Sequence, residues 1–205
     1  MQLTHDDELD AALTLAGHVN LPAATRYCFQ TTYLNEQYPE YRSLGPGQRL
    51  IWVVRNPYSV VHSMVYNWKR FALEELYAAC GAVDSPRPMQ PWRPWRREPS
   101  SIEMACHAYR GKSLQILEIR KLVPASQIFV VDYDQLVQSP REWLPRIFDF
   151  VQESYEVAYA AGIRPDSLQK AGQLKPAERK LIDEVAVPAY RACLSSIQQS
   201  PVKHP

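Results

Sequence analysis

A short segment in the first half of the chain combines residue types that suit phosphate binding. The apolar run from Leu50 to Val54 is followed by Arg55, and Ser63 comes eight residues after that arginine. A guanidinium forms two-pronged, charge-assisted hydrogen bonds and a hydroxyl adds one more donor, so the pair suits a phosphate monoester. The alternative is that Arg55 pairs with a carboxylate and Ser63 is an ordinary helix serine, because short motifs often match by chance.

The elements on either side would place this arginine where open sheets bind ligands. The continuous apolar run predicts a strand buried on both faces, and Pro57 suits the first turn of a helix. Apolar residues then recur at helical spacing: Val60, Val61, Met64, Val65 and Trp68. Ligands bind beyond the carboxyl ends of parallel strands, and the first amides of a helix favour an anion. We therefore expect an anion site at this strand-to-helix turn.

The rest of the chain predicts a helix-rich α/β protein. Ile128 to Val131 predicts a second strand. Helices are predicted over residues 4–16 and 22–38 and over about twenty residues from Ile102. Another is predicted from Ser139-Pro140-Arg141-Glu142, where the serine can cap the helix, and a last one begins near Pro176, where Pro188 should kink or split it. Helices that separate apolar strands indicate a parallel sheet with right-handed crossovers, although only two strands are convincing. We expect a single domain over residues 1–205.

Composition excludes several other classes of protein. The chain has 205 residues, 46% of them hydrophobic, with a net charge of +1. The high hydrophobic fraction and low net charge exclude disorder for most of the chain. The near-zero charge also argues against a strongly electrostatic nucleic-acid binder. The four cysteines form no C-x-x-C pair, so we expect reduced thiols and no metal site. No apolar run approaches the roughly 20 residues of a membrane span. We expect a cytoplasmic protein without membrane or nucleic-acid partners.

Two ordered blocks resemble the sulfotransferases that use 3′-phosphoadenylyl sulfate (PAPS). The string VVRNPYSVVHS resembles the family's 3′-phosphate-binding motif. The block from Ile128 to Leu136, followed by Ser139-Pro140, is similar to the family's later strand, its Tyr-Glu-Asp-Leu-like element and the helix after it. The resemblance covers residues 48–152, and a C-terminal helical region, here 174–198, is also usual in the family. It implies a P-loop nucleotide-hydrolase-like fold.

The resemblance also implies an activity and two binding residues. The family transfers a sulfuryl group from PAPS to a hydroxyl or amine, here on a small-molecule or carbohydrate acceptor, and no metal is implied. Arg55 and Ser63 fall on the two positions that contact the 3′-phosphate. A His or Glu takes the acceptor proton, but no residue is assigned as this base. His18 lies in a segment only faintly similar to the family's, and His62 should face away from Ser63 because neighbouring helix positions point about 100° apart.

The family's glycine-containing loop for the 5′-phosphosulfate has no counterpart before Arg55. The glycines there are Gly17, Gly45 and Gly47, and none follows an apolar strand. We therefore expect that about 30 to 60 N-terminal residues are missing, enough for one βα unit. A missing strand would expose an apolar edge and favour a homodimer. The alternative function is a catalytically inactive member that serves as a nucleotide-binding or interaction module.

Residues 81–99 interleave prolines with tryptophans and arginines, which predicts a long loop. One interpretation is a lid over the acceptor, with flat aromatic surfaces and cations. A second is a surface loop whose tryptophans dock back on the domain. A third is a nucleic-acid contact through stacking and phosphate pairing, which the neutral overall charge disfavours.

Overall fold

The computed structural model describes residues 47–81, 99–163 and 172–198. Within these ranges two strands, β1 (Leu50–Val54) and β2 (Ile128–Asp132), pair in parallel, with Leu50 opposite Ile128 and Val54 opposite Asp132. Both predicted strands and the helix-rich α/β class with a parallel sheet are thereby confirmed. The parallel register matters for function because it brings the carboxyl ends of both strands to one edge.

Helices make up most of the described ranges. The α-helices are α1 (Pro57–Tyr66), α2 (Ser101–Leu122), α3 (Tyr133–Gln138), α4 (Pro140–Val151), α5 (Pro176–Val185) and α6 (Val187–Gln198). A π-helix spans Arg70–Gly81, and 3₁₀ turns span Ala125–Gln127 and Val157–Gly162. In this part of the chain, no helix has the length and apolar character needed to cross a bilayer.

The long helix α2 has defined signals at both ends. The Ser100 hydroxyl accepts a hydrogen bond from the Glu103 amide, and the Glu103 carboxylate accepts one from the Ser100 amide, which is a capping box. Arg120 and Lys121 lie in the last turn, where cations favour the negative end of the helix dipole. The helix predicted from Ile102 is therefore confirmed.

The start of α4 differs from its prediction. Pro140 is in the first turn as expected, but the Ser139 side chain makes no capping hydrogen bond. Ser139 also ends α3, where its amide donates to the Gln135 carbonyl, and its ψ of 59° is far from the extended value usual at an N-cap. The predicted serine cap is wrong because one residue serves two helix ends.

Pro188 divides the C-terminal helical region as predicted. Helix α5 ends at Val185 and α6 begins at Val187, so Pro188 lies in the first turn of α6. Proline has no amide hydrogen and its ring clashes with the carbonyl four residues earlier, so one continuous helix is disfavoured.

The sheet is packed on one face by α2 and α6. Trp52 and Val54 of β1 belong to a buried cluster with Ile116, Ile119 and Cys193. Successive strand residues point to opposite faces. On the second face, helix α4 packs on β2, where the Phe129 and Phe150 rings lie 5.2 Å apart.

Strand β1 is buried on one face only. Val53, on the face opposite Trp52, is 55% exposed. The prediction of a strand buried on both faces is therefore wrong for β1. A continuous apolar run does not show which neighbouring elements cover each side.

The π-helix packs closely against α2, and the sequence patterns do not predict it. A Cβ atom on Gly81 would lie 2.7 Å from the Ala108 amide nitrogen, and one on Gly111 would lie 2.3 Å from the Cys80 carbonyl oxygen. Both glycines are therefore needed for the two backbones to approach. The contact fixes α2, which carries a residue of the site described below.

Several predictions fall outside the described residues. These are the helices over residues 4–16 and 22–38, His18, and nearly all of the loop over residues 81–99. The single domain over residues 1–205 also stays a prediction.

Candidate functional site

The parallel register brings the two sequence blocks together. Val54 is paired with Asp132, so the next residues, Arg55 and Tyr133, leave the sheet side by side. The Arg55 guanidinium carbon lies 4.7 Å from the centre of the Tyr133 ring, a cation–π contact that limits the directions in which the side chain can point. The structure thus joins a residue of the first block to a residue of the second.

The peptide group between Arg55 and Asn56 is held at both of its polar atoms. The Tyr109 hydroxyl of α2 donates to the Arg55 carbonyl oxygen at 2.7 Å. The Asn56 amide donates to Asp134 Oδ2 of α3 at 2.6 Å. Two helices that are distant from this turn in sequence, α2 and α3, therefore fix it.

Two amides at the start of α1 already have acceptors from the protein. The Asn56 side chain caps the helix by accepting from the Tyr58 amide at 2.9 Å, and the Asn56 amide is bonded to Asp134. Pro57 has no amide hydrogen. The predicted anion site at this turn stays a prediction, and the side chains of Arg55 and Ser63 are its candidate ligands.

The two predicted side chains lie at the start of α1 and two turns into it. Arg55 is half-buried in the turn before the helix, and Ser63 is 5% exposed on its second turn. The Ser63 carbonyl accepts from the amides of Asn67 and Trp68 and ends the helix. His62, the neighbour of Ser63, packs its ring 4.7 Å from that of Tyr66.

Two carboxylates lie where β2 ends, and they differ in their hydrogen bonding. Burial raises the pKa of Asp134, and the charge of Asp132 adds to this, while the Asn56 amide and the charge of Arg55 oppose it without cancelling it. Asp132 caps α3 by accepting from the Asp134 and Gln135 amides at 2.9 and 3.3 Å. The alternative to phosphate binding was that Arg55 pairs with a carboxylate. Arg55 and Asp134 do interact through their opposite charges.

Two tyrosines, the buried Tyr109 and the half-buried Tyr190, donate hydrogen bonds to this region. The Tyr190 hydroxyl of α6 lies 3.2 Å from Asp132 Oδ2, and Tyr109 bonds to Arg55 as described. Burial raises the pKa of both tyrosines well above the ordinary value. Both phenols therefore remain neutral donors at physiological pH.

Sequence reasoning missed the supporting residues Tyr109, Asp134 and Tyr190. Tyr109 was part of the apolar face of α2, and Asp134 was in the second block, but neither position showed a partner. The only signal was that Asp134 lies shortly after a predicted strand, and the carboxyl ends of parallel strands meet at one edge of a sheet.

A lysine lies on the covered face of the sheet, away from this turn in sequence. The Lys112 ammonium nitrogen is 5.4 Å from the centre of the Trp52 ring. Burial lowers the pKa of Lys112 to about 8, although the nearby Cys80 opposes this shift. In the described ranges, no group of three or more His, Cys, Asp or Glu side chains could hold a metal ion.

A family model, described as the sulfotransferase family, matches residues 6–156 of the chain. The matched segment contains both blocks and every residue of the Arg55–Asn56 peptide contacts. No curated protein and no solved structure matches the chain significantly.

Proposed function

This chain belongs to the sulfotransferase family, and we propose that it transfers a sulfuryl group from PAPS to a hydroxyl or amine acceptor. The acceptor we propose is a small molecule or a carbohydrate. The observation that supports the donor site is the contact between Arg55 and Tyr133 at the carboxyl edge of the sheet.

Arg55 supplies the main charge for the 3′-phosphate of the donor. Its guanidinium can form two-pronged hydrogen bonds to phosphate oxygens while its planar face stays on the Tyr133 ring. The Ser63 hydroxyl adds a donor from α1. In this proposal the two side chains bind the anion and the Asn56 and Tyr58 amides do not, because both amides are already bonded within the protein.

The role of this site in the reaction is to position the donor. Sulfuryl transfer, like phosphoryl transfer, requires the attacking and leaving oxygens in line with the transferred group. Binding energy from a remote part of the substrate can hold the reacting group in that geometry. The 3′-phosphate is such a part, so Arg55 acts on the reaction by orienting the nucleotide rather than by bonding to the sulfuryl group.

Titration calorimetry with adenosine 3′,5′-bisphosphate tests the proposal. We expect the protein to bind this nucleotide, and Arg55→Ala to weaken binding by about 10- to 100-fold, since a hydrogen bond to a charged group contributes about 1.5–3 kcal/mol. Arg49→Ala is the matched control, because it removes the same charge just before the opposite end of β1.

Two results would count against this function. The first is no binding by the unaltered protein, and the second is binding that Arg55→Ala leaves unchanged. Nucleotide binding without sulfuryl transfer to any hydroxyl or amine acceptor tested would instead identify an inactive member of the family.

A further inference from the structure

We propose that Asp134 is a positioning residue that orients Arg55 toward the 3′-phosphate by holding the Arg55–Asn56 peptide group. This inference rests on the proposed function, because it concerns the same nucleotide site.

Hydrogen bonds hold the Arg55–Asn56 peptide group at both of its polar atoms. A peptide bond is planar, so its carbonyl and amide lie in one rigid plane. Tyr109 holds the carbonyl oxygen at 2.7 Å and Asp134 holds the amide nitrogen at 2.6 Å. With both polar atoms bonded, the plane cannot rotate without breaking a hydrogen bond. That plane sets the backbone ψ angle of Arg55. The ψ angle limits the rotamers open to the Arg55 side chain and fixes where α1, with Ser63, lies relative to it.

Asp134 is buried, and the groups that favour its carboxylate, the Asn56 amide and the charge of Arg55, do not offset that burial. The residue is 8% exposed, and its other oxygen, Oδ1, is buried without a hydrogen-bond partner among the described residues. Burial raises its pKa. A buried carboxylate with one unsatisfied oxygen is unfavourable for stability. A structural role alone therefore gives a weak account of this side chain.

A positioning role and a purely electrostatic role of Asp134 predict different effects on phosphate binding. A carboxylate near a phosphate site repels the phosphate, so removing its charge should tighten binding if charge were its only effect. If Asp134 positions Arg55, removing the carboxylate should weaken binding. The two roles predict changes of opposite sign.

The experiment compares two nucleotides and three variants by calorimetry. Adenosine 3′,5′-bisphosphate carries the 3′-phosphate and adenosine 5′-monophosphate lacks it. We expect Asp134→Ala to weaken bisphosphate binding by about tenfold or more, because small misplacements of a binding group have large effects. Asp134→Asn keeps an acceptor oxygen and should lose less. Binding of the monophosphate should not change.

Asp183→Asn is the matched control. Asp183 accepts a hydrogen bond from the Tyr58 hydroxyl, so this variant also removes a carboxylate that is bonded to α1. It does not touch the Arg55–Asn56 peptide, and we expect wild-type affinity for both nucleotides.

A nuclear magnetic resonance readout tests the hydrogen bond without nucleotide. The Asn56 amide proton should resonate far downfield in the wild type and move upfield in Asp134→Ala and, less, in Asp134→Asn. An unchanged Asn56 resonance would overturn the proposal. Should Asp134→Ala not fold, the isosteric Asp134→Asn variant gives both readouts.

The binding outcomes separate this proposal from the proposed function. No bisphosphate binding by the wild type would refute the function itself. Normal wild-type binding that the Asp134 variants leave equal or tighter would refute only the positioning role. An equal loss of affinity for both nucleotides would also refute it, because the effect would not concern the 3′-phosphate.

Discussion

Single residues explain why the candidate site depends on side chains rather than on helix amides. The carboxylate of Asp134 and the side chain of Asn56 occupy the amides at the start of α1. A helix start that is free favours an anion. Here the Asn56 and Tyr58 amides have acceptors within the protein, so we propose the guanidinium of Arg55 as the main group for a phosphate.

The buried carboxylate of Asp134 gives a prediction about stability. Its folded-state pKa is raised above the ordinary value of 3.8, mainly by burial. The unfolded chain therefore loses this proton at lower pH than the folded protein. Stability from this group is present below pH 3.8 and is lost as pH rises through the folded-state value. Asp134→Asn cannot ionise, so its free energy of unfolding relative to wild type should increase as pH rises from 3.5 to 7.

Urea unfolding of both proteins across this pH range checks the prediction. A relative stability that falls with rising pH would show that the ionised carboxylate stabilises the fold. If Asp134→Asn is more stable than the wild type and binds the bisphosphate more weakly, the Asp134 carboxylate supports binding and lowers stability.

At the scale of elements, the close packing of α2 on the π-helix sets the position of Tyr109. Gly111→Ala would place a Cβ atom 2.3 Å from the Cys80 carbonyl oxygen. The backbones must separate, so we expect a loss of about 1–3 kcal/mol in the free energy of unfolding, as for other overpacked sites. Thermal or urea unfolding measures it.

Gly162→Ala is the control for this substitution. Gly162 has no atom near its would-be Cβ and no positive φ, so its substitution should change stability little. If Gly111→Ala were as stable as Gly162→Ala, the close approach of the two helices would be contradicted.

The elements also show what could be predicted from the sequence. Both strands and α2 were predictable because a local apolar pattern indicates each of them. The π-helix was not predictable, since its hydrogen-bond pattern depends on contacts with α2. The exposure of Val53 depends on which elements cover the sheet, and that information is not in the strand itself.

The site was predictable only in part, for the same reason. Arg55 and Ser63 form a local motif with recognisable spacing. The bonds from Tyr109 and Asp134 join residues 54 and 78 positions away from their partners. No local pattern encodes such contacts, so they required the strand register and the packing of α2.

At the scale of the whole molecule, the C-terminal helices support the site from outside the segment that matches the family. The match ends at residue 156, whereas Tyr190 of α6 bonds to Asp132 and Glu178 of α5 accepts from Tyr66 of α1 at 2.9 Å. Helix α1 is therefore held by α5, and the end of β2 by α6. The described C-terminal region is part of the same packed structure as the two blocks.

The stability of the whole molecule should depend on Lys112 at mildly alkaline pH. Burial lowers its folded-state pKa to about 8 from the ordinary 10.5. The unfolded chain thus keeps a proton that the folded protein releases, so stability is greatest above pH 10.5 for this group and is lost as pH falls through 8. From pH 8 to 9 we expect a gain of about 1 kcal/mol from one such proton.

Lys112→Met tests this dependence by removing the ammonium and keeping an apolar stem. Relative to the wild type, its free energy of unfolding should fall by about 1 kcal/mol between pH 8 and 9, because it lacks this gain. The same change with pH in both proteins would show that Lys112 is not responsible.

The most direct test of the central claim is a thermodynamic cycle between Arg55 and the 3′-phosphate. Affinities for adenosine 3′,5′-bisphosphate and adenosine 5′-monophosphate are measured by calorimetry for the wild type and Arg55→Ala. We predict that the 3′-phosphate strengthens binding to the wild type, and that Arg55→Ala removes most of this gain, a coupling of about 1.5–3 kcal/mol. Equal gains from the 3′-phosphate in both proteins would contradict the claim that Arg55 binds it.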